Sequence, residues 1–175
     1  DLGIKQQAEG APDAGILPDA AVVIFDEAHE LEDVAGNYFG IAVSVARFEE
    51  LCRDIENFLQ RNRNYTASFA GAIKTLRERS AFFFSLLPEG EGRFAFENRH
   101  EFLEENGDEL LAVQQAMVRI GSEIENMPSK PEEAFSFARR AQELHVQLAF
   151  VLEHEDPNIV FWIELRRLGR EKQYV

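Results

Sequence analysis

The period of apolar positions changes along the chain, and each change predicts an element. Ala21-Val22-Val23-Ile24-Phe25 is a continuous apolar run rich in β-branched residues, the pattern of a strand buried on both faces of a parallel α/β sheet. A buried helix segment shares that pattern, but five residues after a Pro-containing loop favour the strand. Ile41-Ala42-Val43-Ser44-Val45 suggests another short strand. From there the spacing becomes helical. Phe48, Leu51, Cys52, Ile55, Phe58 and Leu59 follow the i, i+3, i+4, i+7 rule of an amphipathic helix. A second helix is expected over 66–87, burying Phe69, Ile73, Leu76, Phe83 and Leu87 before Pro88 stops it. Phe82-Phe83-Phe84 cannot put all three rings on one helical face. After a Gly- and Glu-rich loop, Arg93-Phe94-Ala95-Phe96 reads as a strand.

A third helix follows Asn106-Gly107-Asp108, with Leu110, Leu111, Val113, Met117, Ile120 and Ile124 inward. Ser129 and Glu132 have the spacing of a capping box. They open a fourth helix that should bury Phe135, Ala138, Ala141, Leu144, Leu148 and Val151. Ile159 to Leu165 is β-rich, and Leu168-Gly169-Arg170 can turn it into a hairpin. The fold class is therefore mainly α: a helical bundle with a few short β-strands at its ends. Its organisation reads as 1–45, a helical 46–157, and a return strand or hairpin at 158–175.

Composition narrows the function classes. The 175 residues suffice for one core, and 45% hydrophobic with 29% charged residues excludes disorder. Eighteen basic against 32 acidic residues give a net charge of −14, unlike the basic footprint of a free-standing nucleic-acid binder. One cysteine, Cys52, excludes an internal disulfide and a cluster ligated by this chain alone; its helical spacing makes it a core thiol. No apolar run is long enough to span a bilayer, no signal peptide opens the chain, and the setting inferred is a reducing cytoplasm. A start at Asp1 inside a loop and a strand-like ending at Val175 read as a piece of a longer protein, whose other parts could carry the opposite charge.

The chemistry concentrates in Asp26-Glu27-Ala28-His29, directly after the apolar run. Side chains at the carboxyl end of a buried strand enter the crevice where ligands bind in open α/β folds. An aspartate there can hold Mg²⁺ through water, since magnesium prefers hard oxygen ligands and keeps its hydration. The adjacent glutamate can polarise the water that attacks a γ-phosphate. The histidine can hydrogen-bond across to another nucleotide-responsive segment.

The stretch Leu17 to Ala35, with Asp26-Glu27-Ala28-His29 at its centre, resembles the motif II region of DinG/XPD-like superfamily 2 DNA helicases, and Tyr38 to Ser44 is similar to the bacterial members. The resemblance implies a partial RecA-like α/β motor domain interrupted by a helical arch. It implies ATP and Mg²⁺ as cofactors, with Asp26 coordinating the metal, Glu27 acting as the base and Asp26 and Glu27 together contacting the nucleotide site. His29 would link hydrolysis to the motor. It implies 5′→3′ translocation on single-stranded DNA, with the remaining motor domains as partners. The family's phosphate-binding loop has no counterpart here, so this chain alone is expected to be inactive. An iron–sulfur cluster, if the longer protein has one, is not ligated by this chain.

Cations gather unevenly. Seven lie between Arg47 and Arg79 against five acids; Arg53, Arg61, Arg63, Lys74 and Arg77, with Arg166 and Arg167 later, are the candidate DNA contacts of a strand-guiding wall. For any one of them, an ion pair on a solvated helix face is the simpler role. Glu97-Asn98-Arg99-His100 has a di-iron spacing but no second copy and reads as a surface loop. His145 and His154 read as structural or solvated. An apolar patch around the Phe run could pair two copies of the chain. The rival reading is a non-catalytic acidic interaction module in which the Asp-Glu-Ala-His sequence is accidental.

Overall fold

The computed structural model describes residues 22–24, 26–31, 34–36, 40–90, 92–128, 131–168 and 171–174. The chain divides into two units, Asp1–Ile41 and Ala42–Val175. The second holds four helices, α1 (Val45–Arg61), α2 (Ala67–Ser85), α3 (Arg99–Glu125) and α4 (Glu132–Glu153). It also holds the strands β1 (Gly92–Ala95), β2 (Trp162–Leu168) and β3 (Glu171–Tyr174). Each helix packs on the next, and α4 closes back on α1, giving a mainly helical bundle of antiparallel neighbours. Phe48 meets Phe84 while Glu56 meets Arg77, and Phe83 meets Phe102 while Ser68 meets Glu123.

α1 buries the six residues its spacing predicts, from Phe48 to Leu59. It ends in a Schellman motif: Asn64 N donates to Leu59 O at 3.0 Å and Arg63 N to Gln60 O at 3.3 Å. That motif puts Arg63 at φ 56, in the left-handed region, where a side chain costs about 1–2 kcal/mol. α2 is capped by Thr66, whose hydroxyl accepts from Phe69 N at 3.2 Å. Of the Phe run, Phe83 and Phe84 are buried and Phe82 is half exposed. The buried pair starts an edge-to-face chain, Phe48–Phe84–Phe83–Phe102–Phe96, with centroids 5.5–5.9 Å apart. Such pairs add about 0.5–1.5 kcal/mol each beyond burial, and this one ties α1, α2 and α3 together.

Several expectations are corrected, among them Leu111, expected inward on α3 but 49% exposed. α3 begins at Arg99, before Asn106-Gly107, and passes Asn106 with a kink (φ −122°, ψ 21°). The burial of Arg99 and Phe102 holds this first segment in helix, and the Asn106 amide donates to Phe102 O at 2.9 Å. α4 begins at Glu132 with Pro131 as N-cap, so Glu132 is the first helical residue and not the third position of a capping box; Ser129 lies outside the described residues. Its buried stripe is Ala134, Phe137, Ala141, Leu144, Leu148 and Leu152. The 3-4 spacing runs back from Ala141 to Phe137 and the small Ala134, and leaves Phe135 53% exposed.

β1, β2 and β3 form an antiparallel sheet in that order. Phe94 pairs with Ile163, and Leu168 with Glu171; of the turn expected at Leu168-Gly169-Arg170, Gly169 and Arg170 lie outside the described residues. Ile163 and Phe94 join the core of the bundle. The strand expected at 21–25 is not formed at its described positions: Val22, Val23 and Ile24 are non-strand and 60–89% exposed. Residues 41–44 are likewise not strand. A strand exists only where a neighbour pairs its N–H and C=O groups, and no described residue pairs with these.

Candidate functional site

The Asp26-Glu27-Ala28-His29 segment folds into a tight local turn. Ala28–Glu30 is one turn of 3₁₀ helix, and Glu30 N donates to Glu27 O at 2.9 Å. Glu27 itself stands at φ 52°, ψ 44°, the left-handed region, which a residue with a long side chain rarely occupies. Asp26 stabilises this bend, its Oδ1 accepting from Glu27 N at 3.0 Å. The bend swings the Glu27 carboxylate back over His29, with Oε2 3.2 Å from Nδ1. Both side chains remain exposed, at 69% and 74%. The turn thus presents two adjacent carboxylates to solvent, one of them held by an imidazole.

These donors fit a magnesium–nucleotide complex. Magnesium takes one or two carboxylates, often through water, and fills its sphere with waters and phosphate oxygens. Among the described residues no three His, Cys, Asp or Glu groups converge on one point. The Asp26 and Glu27 carboxylates suit a metal that arrives with its phosphates.

The candidate DNA-contacting cations separate into two kinds. Arg77 is engaged: its guanidinium donates to both oxygens of Glu56, at 3.1 and 2.9 Å, and to Glu49 at 2.6 Å. These hydrogen bonds raise its pKa further above the usual range. Arg61 pairs with Glu133 at 3.1 Å and Lys74 with Glu78 at 3.8 Å, both on exposed side chains, where pairs contribute little. Arg53 and Arg63 are exposed and form no ion pair among the described residues. Arg166 and Arg167 occupy β2 positions opposite Gln173 and Lys172.

Two arrangements escaped the sequence reading. Along the α1–α4 seam, Arg47 reaches Gln147 at 2.6 Å, Arg140 reaches Asp54 at 2.7 Å and Arg61 reaches Glu133. The partners step by one heptad on each helix in opposite directions, a signal that pairing residues seven apart would have found. The lower half of this seam borders a polar groove of about 650 Å³. The second is Arg99, expected in a surface loop. It is buried, donating to Val151 O at 2.8 Å and His154 O at 2.5 Å, with its guanidinium 3.7 Å from the Phe161 ring centroid. It satisfies carbonyls at the end of α4, which have no intrahelical partner, and pins α3, α4 and the approach to β2 at one point. Desolvation lowers its pKa. Cys52 is buried with its thiol on Ile73 O; burial, with smaller contributions from Glu49 and Glu56 against Arg77, pushes its pKa up to about 12. It is a core thiol, neither nucleophile nor ligand.

No family model matches the chain, and no solved structure matches it. Over 55 residues, 31% of this chain, it is 40% identical to the ATP-dependent DNA helicase YoaA of Haemophilus influenzae. The identity and coverage are the same for the ATP-dependent DNA helicase YoaA of Escherichia coli. The chain spans about 8% of the length of these curated relatives. No described helix is long and apolar enough to cross a membrane. Over part of its length, then, the chain is related to ATP-dependent DNA helicases.

Proposed function

We propose that the chain is the part of an ATP-dependent DNA helicase of the DinG/XPD type that carries the hydrolysis motif and a helical arch guiding single-stranded DNA. The observation that carries this reading is the 40% identity to two DNA helicases in a chain that also holds Asp26-Glu27-Ala28-His29. In this reading residues 1–45 belong to the first motor domain, 46–157 form the arch and 158–175 return to the motor. Asp26 would hold Mg²⁺ through water, and magnesium, when bound, neutralises charge on the transferring phosphate.

Glu27 takes a proton from the attacking water at a carboxylate oxygen. The left-handed bend at Glu27 and its contact with His29 support a positioned base, because they restrict where the carboxylate can swing. His29, at the other end of that contact, would link hydrolysis to the rest of the motor. The exposed Arg53 and Arg63, with the weakly paired Arg61 and Lys74, would track phosphates along the arch. The chain contains no Gly-Lys-Ser or Gly-Lys-Thr sequence, so by itself it would not hydrolyse ATP.

The test is directional unwinding by the full-length protein. ATP-dependent opening of a fork with a 5′ single-stranded tail, and not of one with a 3′ tail, is expected. Loss of all ATP-dependent opening would leave an acidic interaction module as the better account.

A further inference from the structure

The outer face of the three-stranded sheet carries the chain's single tryptophan. The register pairs Ala95 with Trp162 and Arg93 with Glu164, so these four share one face while Ile163 and Phe94 turn to the core. Trp162 is 36% exposed. The Arg93 guanidinium lies 5.1 Å from its ring centroid and also reaches Glu164 at 3.3 Å. Opposite the indole stands Ala95, too short to cover it. A tryptophan placed for core packing would stand on the opposite face, the one Ile163 occupies. Charge singles out the same segment: residues 162–174 carry four cations against two acids, in a chain of net charge −14.

An exposed ring flanked by a stacked guanidinium on a locally basic strand is the arrangement on which single-stranded nucleic acid stacks its bases. We propose that Trp162, with Arg93 beside it, is a base-stacking contact for single-stranded DNA. This rests on the helicase reading for the identity of the nucleic acid and adds a contact on the sheet to the cations of the helices. Stacking explains how a chain this acidic could hold a strand: base stacking adds affinity that does not depend on neutralising phosphates.

The single tryptophan makes the test direct, because all indole fluorescence comes from residue 162. The chain would be titrated with dT12, dA12, the blunt duplex and inorganic polyphosphate, with anisotropy of labelled oligonucleotide as an independent measure of binding. Saturable quenching by dT12 and dA12, stronger for the purine, and little response to duplex or polyphosphate are expected. Trp162→Ala should weaken binding about tenfold, and Trp162→Phe should keep most of it, with circular dichroism confirming that both fold. Binding by anisotropy without quenching, and unchanged in Trp162→Ala, would overturn the stacking contact while leaving strand guidance by the helices intact. Equal quenching by polyphosphate would overturn it in favour of a plain anion site. No binding of any oligonucleotide would overturn it too, and ATP-driven unwinding by the full-length protein would then show whether the helicase reading stands without it.

Discussion

In the bundle, Phe48, Phe83 and Ile120 keep at most 1% of their surface in water; in the Asp26–Glu30 turn, Glu27 and His29 keep 69% and 74%. The bundle is held by contacts between helices far apart in sequence, whereas the turn is held by its own next neighbours, Asp26 on Glu27 and Glu27 on His29. The bundle also leaves no described buried side-chain polar atom without a partner, while the turn leaves both carboxylates in reach of solvent. On the proposed reading, the comparison teaches that chemistry and stability are lodged in separate parts of this chain. Substitutions in one should be nearly silent in the readout of the other.

The strongest attempt to break the bundle is Phe83→Ala. It removes the ring that links Phe84 to Phe102, and a loss of about 3–5 kcal/mol in urea denaturation is expected. Arg99→Met comes next. It keeps the stem but leaves the Val151 and His154 carbonyls unpaired, and should lower stability by about 2–3 kcal/mol. Arg99→Lys should recover only part, since one ammonium cannot bridge both carbonyls and stack on Phe161.

Cys52 gives a pH-dependent test. Its native thiol stays protonated to about pH 12, whereas an unfolded thiol ionises near 9.0. The raised native pKa means that its contribution is intact below pH 9 and is lost as pH rises toward 12. Between pH 9 and 10.5 the wild-type chain should lose about 1–2 kcal/mol more than Cys52→Ala, whatever the cavity costs that variant at neutral pH. Arg63→Gly should act in the opposite direction, stabilising by about 1 kcal/mol because glycine adopts the left-handed end of α1 freely. At the small end, Glu27→Gln should leave the melting of the bundle unchanged within about 0.5 kcal/mol. A larger shift would mean that the turn and the bundle are coupled.

How much of this was legible in the sequence depends on what positions each residue. α1 could be read in full, because all six of its buried residues follow one helical period. In α4 the sequence is legible from Ala141 to Leu148; a uniform step of three puts Phe135 and Ala138 inward, whereas the helix steps back by four and then three to Phe137 and Ala134. The start of α3 was hidden behind Asn106-Gly107, whose local preference is overridden by Phe102 in the aromatic chain and Arg99 on the α4 carbonyls. No local pattern announces either contact, since both partners lie elsewhere in the sequence. The motif was legible as composition, four residues in order, but the left-handed Glu27 that aims its carboxylate at His29 was not. The strand expected before it was read from apolar character alone, and strand pairing depends on a neighbour that periodicity cannot supply.

The central claim is that Glu27 is the hydrolytic base, and ATP turnover by the full-length protein tests it most directly. Turnover should rise with single-stranded DNA and fall by at least about a hundredfold in Glu27→Gln, within the range general-base catalysis supplies, while ATP binding is retained. Stimulated turnover that is indifferent to Glu27→Gln would contradict the claim.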